Sequence, residues 1–156
     1  MAKKYVTGFQ CLSEIPTGAL ATYPVTIATA IEKGDALILT SGYAALATTL
    51  ATATFAGIAL DTNTAAEAVA SGTVSVQVIR PLPSLQFRVA ISTAAIIALS
   101  DVGTCLNIAN EISLSEAATV TAYWGFFVDA IDVSAAAILI NTYGYAIGHF
   151  EKLSTT

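Results

Sequence analysis

One histidine, two cysteines and a pair of closely spaced aspartates are the residues whose chemistry could make a site in this chain. A Ser-His-Asp or Cys-His centre would have to use His149, four residues after Tyr145 and beside Phe150 near the end of a strand-like run. A lone histidine without a recognised partner reads as a strand-end residue hydrogen-bonded to backbone. No serine sits in a G-x-S-x-G elbow. Cys11 and Cys105 lie far apart. They read as small buried hydrophobes; a disulfide stays open, because sequence does not show whether their Cα atoms come within bridging range. Two cysteines and one histidine on separate strands do not match zinc-ligand spacing. Asp129 and Asp132 are the nearest approach to a calcium site. Their odd offset on a strand predicts opposite faces, so they read as a strand end and turn. No dinucleotide or P-loop glycine pattern occurs, and Tyr143 to Gly148 reads as a strand with a bulge. The expectation is a non-enzyme with no catalytic residues, no metal and no cofactor.

The elements that would carry these residues are strands. The chain has 156 residues, 55% hydrophobic and 11% charged, where about 25% charged is usual. This length suits one domain with its own core. Thr73 to Ile79 alternates cleanly, with Val74, Val76 and Val78 on one face, and Leu85, Phe87, Val89 and Ile91 repeat the pattern. Further strands are expected over 24–31, 36–40, 43–47, 55–61, 104–109 (with 111–114 continuing it), 119–131, 135–140 and 143–150. Glu32 to Asp35 and Ser41-Gly42 read as polar turns. Residues 62–72 are a short helix or turn, with Thr64 and Glu67 matching a capping box, and 94–99 form one or two helical turns. Arg80 to Pro83 stops a strand, and Gly125 suggests a bulge. The fold class is all-β with minor short helices: an antiparallel β-barrel or β-sandwich. Residues 1–24 form an extended N-terminal arm and 25–156 a single β-rich domain. Tyr5, Val6, Phe9 and Leu12 are the arm's apolar anchors. They are the candidate assembly interface, docking on this body or on a neighbour's.

Composition also bounds the partners. Six Lys and Arg stand against eleven Asp and Glu, a formal charge of -5, so nucleic acid is not an expected partner. No apolar segment follows the N-terminal lysines as a secretion signal would require. Ala36 to Leu60 carries no charge, but its threonines and Ser41-Gly42 divide it into strand-sized pieces rather than a membrane span. A surface of Ala, Thr and Ser with little charge packs well against another flat surface, which favours an oligomer or a lattice component.

One stretch carries a resemblance. After the arm come Ile31-Glu32-Lys33-Gly34-Asp35-Ala36-Leu37-Ile38-Leu39, a Gly-containing turn, Phe55-Ala56-Gly57-Ile58-Ala59-Leu60, and Ser71-Gly72-Thr73-Val74-Ser75-Val76. This order, over about residues 1–80, resembles the small capsid decoration, or cement, proteins of tailed bacteriophages. The resemblance implies a β-barrel or β-tulip domain and a homo-oligomer, favouring a trimer. It implies binding to the major capsid protein on the virion surface after synthesis in the host cytoplasm, and it brings no catalytic residues. Residues 81–156 fall outside the pattern. A subunit of an extracellular filament or surface layer fits the same composition. A glycan-binding β-sandwich using Trp124 and nearby tyrosines is a further alternative.

Overall fold

A computed structural model describes residues 8–93, 99–119, 123–132 and 145–153. Eleven strands and two short 3₁₀ turns appear among them, and none of their helices is long and apolar enough to cross a membrane. The uncharged stretch from Ala36 to Leu60 forms three strands: β3 (Ala36–Thr40), β4 (Tyr43–Leu46) and β5 (Phe55–Ala59). Ser41 and Gly42 join β3 to β4 with φ of 51° and 85°, the paired positive values of a tight hairpin turn. With β2 (Leu20–Pro24) and β6 (Ser75–Ile79) these strands make a sheet of order β2-β6-β5-β3-β4. A parallel bridge between Val25 and Ala44 brings its two ends together.

The second sheet contains β1 (Gln10–Cys11), β7 (Phe87–Thr93), β8 (Cys105–Asn110), β9 (Ser113–Thr119), β10 (Trp124–Asp132) and β11 (Tyr145–Lys152). Its order is β1-β7-β11-β10-β8-β9, and β9 pairs back onto β7. That pairing closes a barrel of five strands, β7-β11-β10-β8-β9. Alternating directions cannot close a ring of odd number, so one pair must run parallel. The β7–β9 pair is that one, with Ile91 opposite Leu114. The expectation of a β-barrel is met, and the antiparallel rule fails only where parity requires it. Closure removes the open edges that so many uncharged strands would otherwise present.

Two hydrophobic cores result. Val25, Ile31, Leu37, Ala44, Ala56, Ala59, Val76 and Val78 pack in one cluster, formed by the first sheet. Its small residues suit a tightly curled sheet. The larger core joins the sheets: Phe55, Ile58 and Ile79 pack with Phe87, Leu106, Phe126 and Phe150. β5 is buried along its whole length because it serves both cores. Polar contacts add a second tie, since Asn107 on β8 accepts from the Leu50 N–H at 2.7 Å and donates to Thr49 Oγ1 at 2.9 Å.

Several local expectations change. The strand expected over 24–31 lies earlier, at β2, and shares only Pro24 with it. Beyond Val25 the chain turns, Ala28 takes a φ of 55°, and Ile27 is exposed. Thr64 and Glu67 make half of a capping box, with Glu67 N–H donating to Thr64 Oγ1 at 3.2 Å; the Thr64 hydroxyl donates to Glu67 Oε1 at 3.1 Å, and the two residues close a turn rather than a helix. Leu99–Asp101 is a 3₁₀ turn at the end of the helical segment expected over 94–99; residues 94–98 lie outside the described residues, as does the strand expected over 135–140.

Candidate functional site

From Gly8 onward the expected arm is part of the body. β1 adds to the edge of β7, with Gln10 opposite Arg88, and β2 pairs with β6 along five residues. The cause is Phe9, which is only 3% exposed. Its ring lies 5.9 Å from Phe126 and 5.3 Å from Phe150. Phe9 is therefore an anchor in this chain's own core and not free for a partner. Leu12 is 45% exposed and still available. Tyr5 and Val6 lie outside the described residues. Beside β1 runs a groove of about 480 Å³ lined by Phe9, Cys11, Ile15, Lys33, Leu60 and Ile79.

His149 lies within β11, not at its end. It faces Phe127 across the β10–β11 ladder, and the two rings stack at 5.7 Å and 13°. Its partner is a side chain rather than backbone: Nδ1 is 2.8 Å from Asp129 Oδ2, and Nε2 is 3.6 Å from Glu151. The expected separation of Asp129 and Asp132 onto opposite faces also fails. A bulge between Val128 and Ala130 inserts Asp129 as an extra residue in the ladder. The alternation after it is offset by one, so both aspartates reach partners on one outer face. Asp132 pairs there with Arg88 at 3.1 Å, and the Arg88 guanidinium covers the Tyr145 ring at 4.0 Å. The bulge belongs to β10 at Asp129 and not to Gly125; Tyr145 to Gly148 pair opposite it, and Tyr143 and Gly144 lie outside the described residues.

Both cysteines are free thiols. Burial pushes both upward from the usual thiol range, and nearby Glu151 adds to the effect at Cys105, so neither is an activated nucleophile. Trp124 is half-buried and meets Phe55 edge to face at 5.8 Å, a packing role at the rim of the larger core. Among the described residues, no three His, Cys, Asp and Glu side chains converge as metal ligands would.

The least expected polar group is Asp35. The sequence places it in an exposed polar turn, yet it is 5% exposed. Its Oδ2 accepts from the Glu32 N–H at 2.8 Å. The next residue, Ala36, donates to the Glu111 carbonyl at 2.7 Å, which docks the β8–β9 turn over the site. Burial raises the Asp35 carboxyl to about 6; the Glu32 N–H pulls it down, and the Glu111 and Glu32 charges push it up.

The unfolded carboxyl titrates near 3.8 and the folded one near 6, so the folded state holds the extra proton between them. Stability is then greatest below about pH 4, falls as pH rises through the window up to about 6, and stays reduced above it. A shift of this size corresponds to at most about 3 kcal/mol. Asn at position 35 keeps an oxygen for the Glu32 N–H and carries no charge. Asp35→Asn is therefore expected to exceed the wild type in stability by about 1–3 kcal/mol at pH 7.5 and to match it near pH 4. Urea titrations at both pH values measure this. An equal difference at the two would mean Asp35 does not titrate in that window.

No protein-family model matches this chain, and comparison with the curated proteins and with solved structures finds no match to it.

Proposed function

We propose that this chain is a non-enzymatic structural protein of a virion, which decorates and stabilises a capsid by binding its major subunits as an oligomer. One observation carries the reading. The segments that resemble phage decoration proteins, 31–39, 55–60 and 71–76, come together in one curled sheet, as β3, β5 and the start of β6 with their flanking turns. Segments that are separate in sequence thus share one sheet, which supports the reading. The described residues beyond position 80, outside the pattern, include the strands of the closed barrel. Ile27 and Val69 also support the reading. They are 53% and 69% exposed, and the Ala28 N–H donates to the Ala68 carbonyl, so they project from adjoining loops.

The test begins by asking whether a major capsid protein is encoded beside this chain, and then uses shells assembled from that protein. The purified protein is expected to sediment as a small closed oligomer, to co-sediment with the shells and to raise their disruption temperature. Leu12→Glu is expected to weaken shell binding about tenfold or more, the scale of an interface contact, while leaving the chain's own melting temperature within about 2 °C, as exposed substitutions do. A monomer that ignores shells at micromolar concentration would sink the proposal, and open fibres would favour the filament reading instead.

A further inference from the structure

Gly34, Asp35 and Ala36 are three consecutive residues, and each is hydrogen-bonded to a different part of the chain. The Gly34 carbonyl accepts from the Phe9 N–H at 2.8 Å, which holds the N-terminal segment. The Asp35 carbonyl accepts from the Ala59 N–H at 2.8 Å, which holds β5. The Ala36 N–H donates to the Glu111 carbonyl at 2.7 Å, which holds the β8–β9 turn of the closed barrel. The Asp35 side chain is buried in the middle of this junction.

Among the described residues, the charges that act on it have one sign. Glu32 faces it from its own turn and Glu111 from the β8–β9 turn. The other elements at the junction contribute Gly8, Phe9, Ile58 and Ala59, none of them ionisable. Lys33 is exposed and lines the groove beside β1. An ionised Asp35 therefore meets desolvation and two like charges, opposed by one backbone N–H. The simplest relief is to bring the carboxylate to water, which requires only the bonds at the start of β3 and the end of β5 to open, Asp35 to Ala59 and Ala36 to Glu111, and leaves the rest of both sheets paired.

We propose that the Glu32–Asp35 turn is a pH-dependent latch between the two sheets, closed on the β8–β9 turn while Asp35 holds its proton and opening locally once Asp35 releases it to water. The upward displacement of the Asp35 titration agrees with the geometry. The closed latch belongs to mildly acidic conditions and the loosened one to neutral pH. The inference stands whether or not the chain decorates a shell.

Amide hydrogen exchange by NMR, corrected for the intrinsic rate at each pH, tests it. The Glu32, Ala36 and Ala59 amides are expected to lose roughly tenfold of their protection from pH 4.5 to pH 7.0, with about 25-fold as the ceiling that titration between 3.8 and about 6 allows over this interval. They should also exchange ahead of core amides such as Phe126 and Phe150, because a local opening is cheaper than global unfolding. Asp35→Asn should keep all three protected at both pH values. Glu111→Gln, which retains the backbone acceptor and removes one of the charges, should show a smaller loss than the wild type. The latch is overturned if the three amides track the core at both pH values, or if Asp35→Asn loses as much protection as the wild type. Should Asp35→Asn not fold, a wild-type loss undiminished in Glu111→Gln overturns it equally.

Discussion

Phe150→Ala is expected to cost about 4 kcal/mol, the middle of the range for a buried phenylalanine cut to alanine. The ring is fully buried at the meeting point of three parts of the chain. Phe9 from the N-terminal segment lies 5.3 Å away, Phe55 from the first sheet 5.0 Å, and Phe87 and Phe126 from the closed barrel 5.3 and 5.2 Å. Four tilted or edge-to-face contacts converge on one side chain, and such pairs contribute beyond the area they bury. The cavity left behind is walled by rings held on separate strands, which cannot collapse together to fill it. Phe127→Ala is the control. Its ring is half-buried on the outer face against His149, and its loss should cost about 1 kcal/mol, a typical value for a partly exposed side chain. In a chain of this size the Phe150 variant should melt about 8–16 °C lower. Because Phe150 touches both sheets, the transition should stay single and move as a whole. Two separate transitions, only one of them shifted, would show instead that the sheets unfold independently.

That convergence also shows what was legible in advance. The alternation of Leu85, Phe87, Val89 and Ile91 predicted a strand with one buried face, and all four are buried. Ser41-Gly42 was legible as a turn because its chemistry is local. Period-2 patterning shows which side of a strand faces inward but not which strand lies beside it. The parallel β7–β9 closure and the pairing of Gln10 with Arg88 therefore left no trace in any local window. Phe9 was read as an apolar anchor for the right reason, and its place in the core depends on rings more than a hundred residues away, at Phe126 and Phe150.

The polar groups were harder to read, again because their surroundings are distant. Glu32-Lys33-Gly34-Asp35 has the composition of a solvated turn, and locally it is one. Asp35 is buried by the N-terminal segment and by the Glu111 turn, neither adjacent in sequence. Asp129 and Asp132 were separated by a rule that holds for a regular strand and fails across a bulge. The one signal that could have warned of the bulge was the charge pattern itself. Two acidic residues in an otherwise apolar strand would require polar partners, and His149 and Arg88 were among the few available.

Gly57→Ala is expected to be among the most damaging small substitutions at the described residues, at about 3 kcal/mol or more, the scale of a strained backbone position compounded by a steric conflict. Gly57 sits in the middle of β5 with a φ of 127°, a conformation that side chains of L-residues rarely adopt. A Cβ at this position would also run into the Ile79 carbonyl oxygen and crowd Val78 on β6. The register explains why the backbone takes this shape. β5 opposes β3 with a shift between Leu37 and Ile38, so Gly57 lies at an irregularity in the ladder. The shift lets Phe55 and Ile58 face the larger core while Ala56 and Ala59 face the smaller one. Relieving the clash by moving β5 away from β6 would disturb both cores at once, so repacking offers no inexpensive remedy. Gly42→Ala provides the comparison. Its φ is also positive, at 85°, but a Cβ there meets nothing within 4 Å, so it should cost about 1 kcal/mol from backbone strain alone. Urea unfolding of the two variants separates the terms. Equal losses would mean that φ dominates and the approach of β6 to Gly57 contributes nothing, whereas the geometry predicts that Gly57→Ala loses at least twice as much.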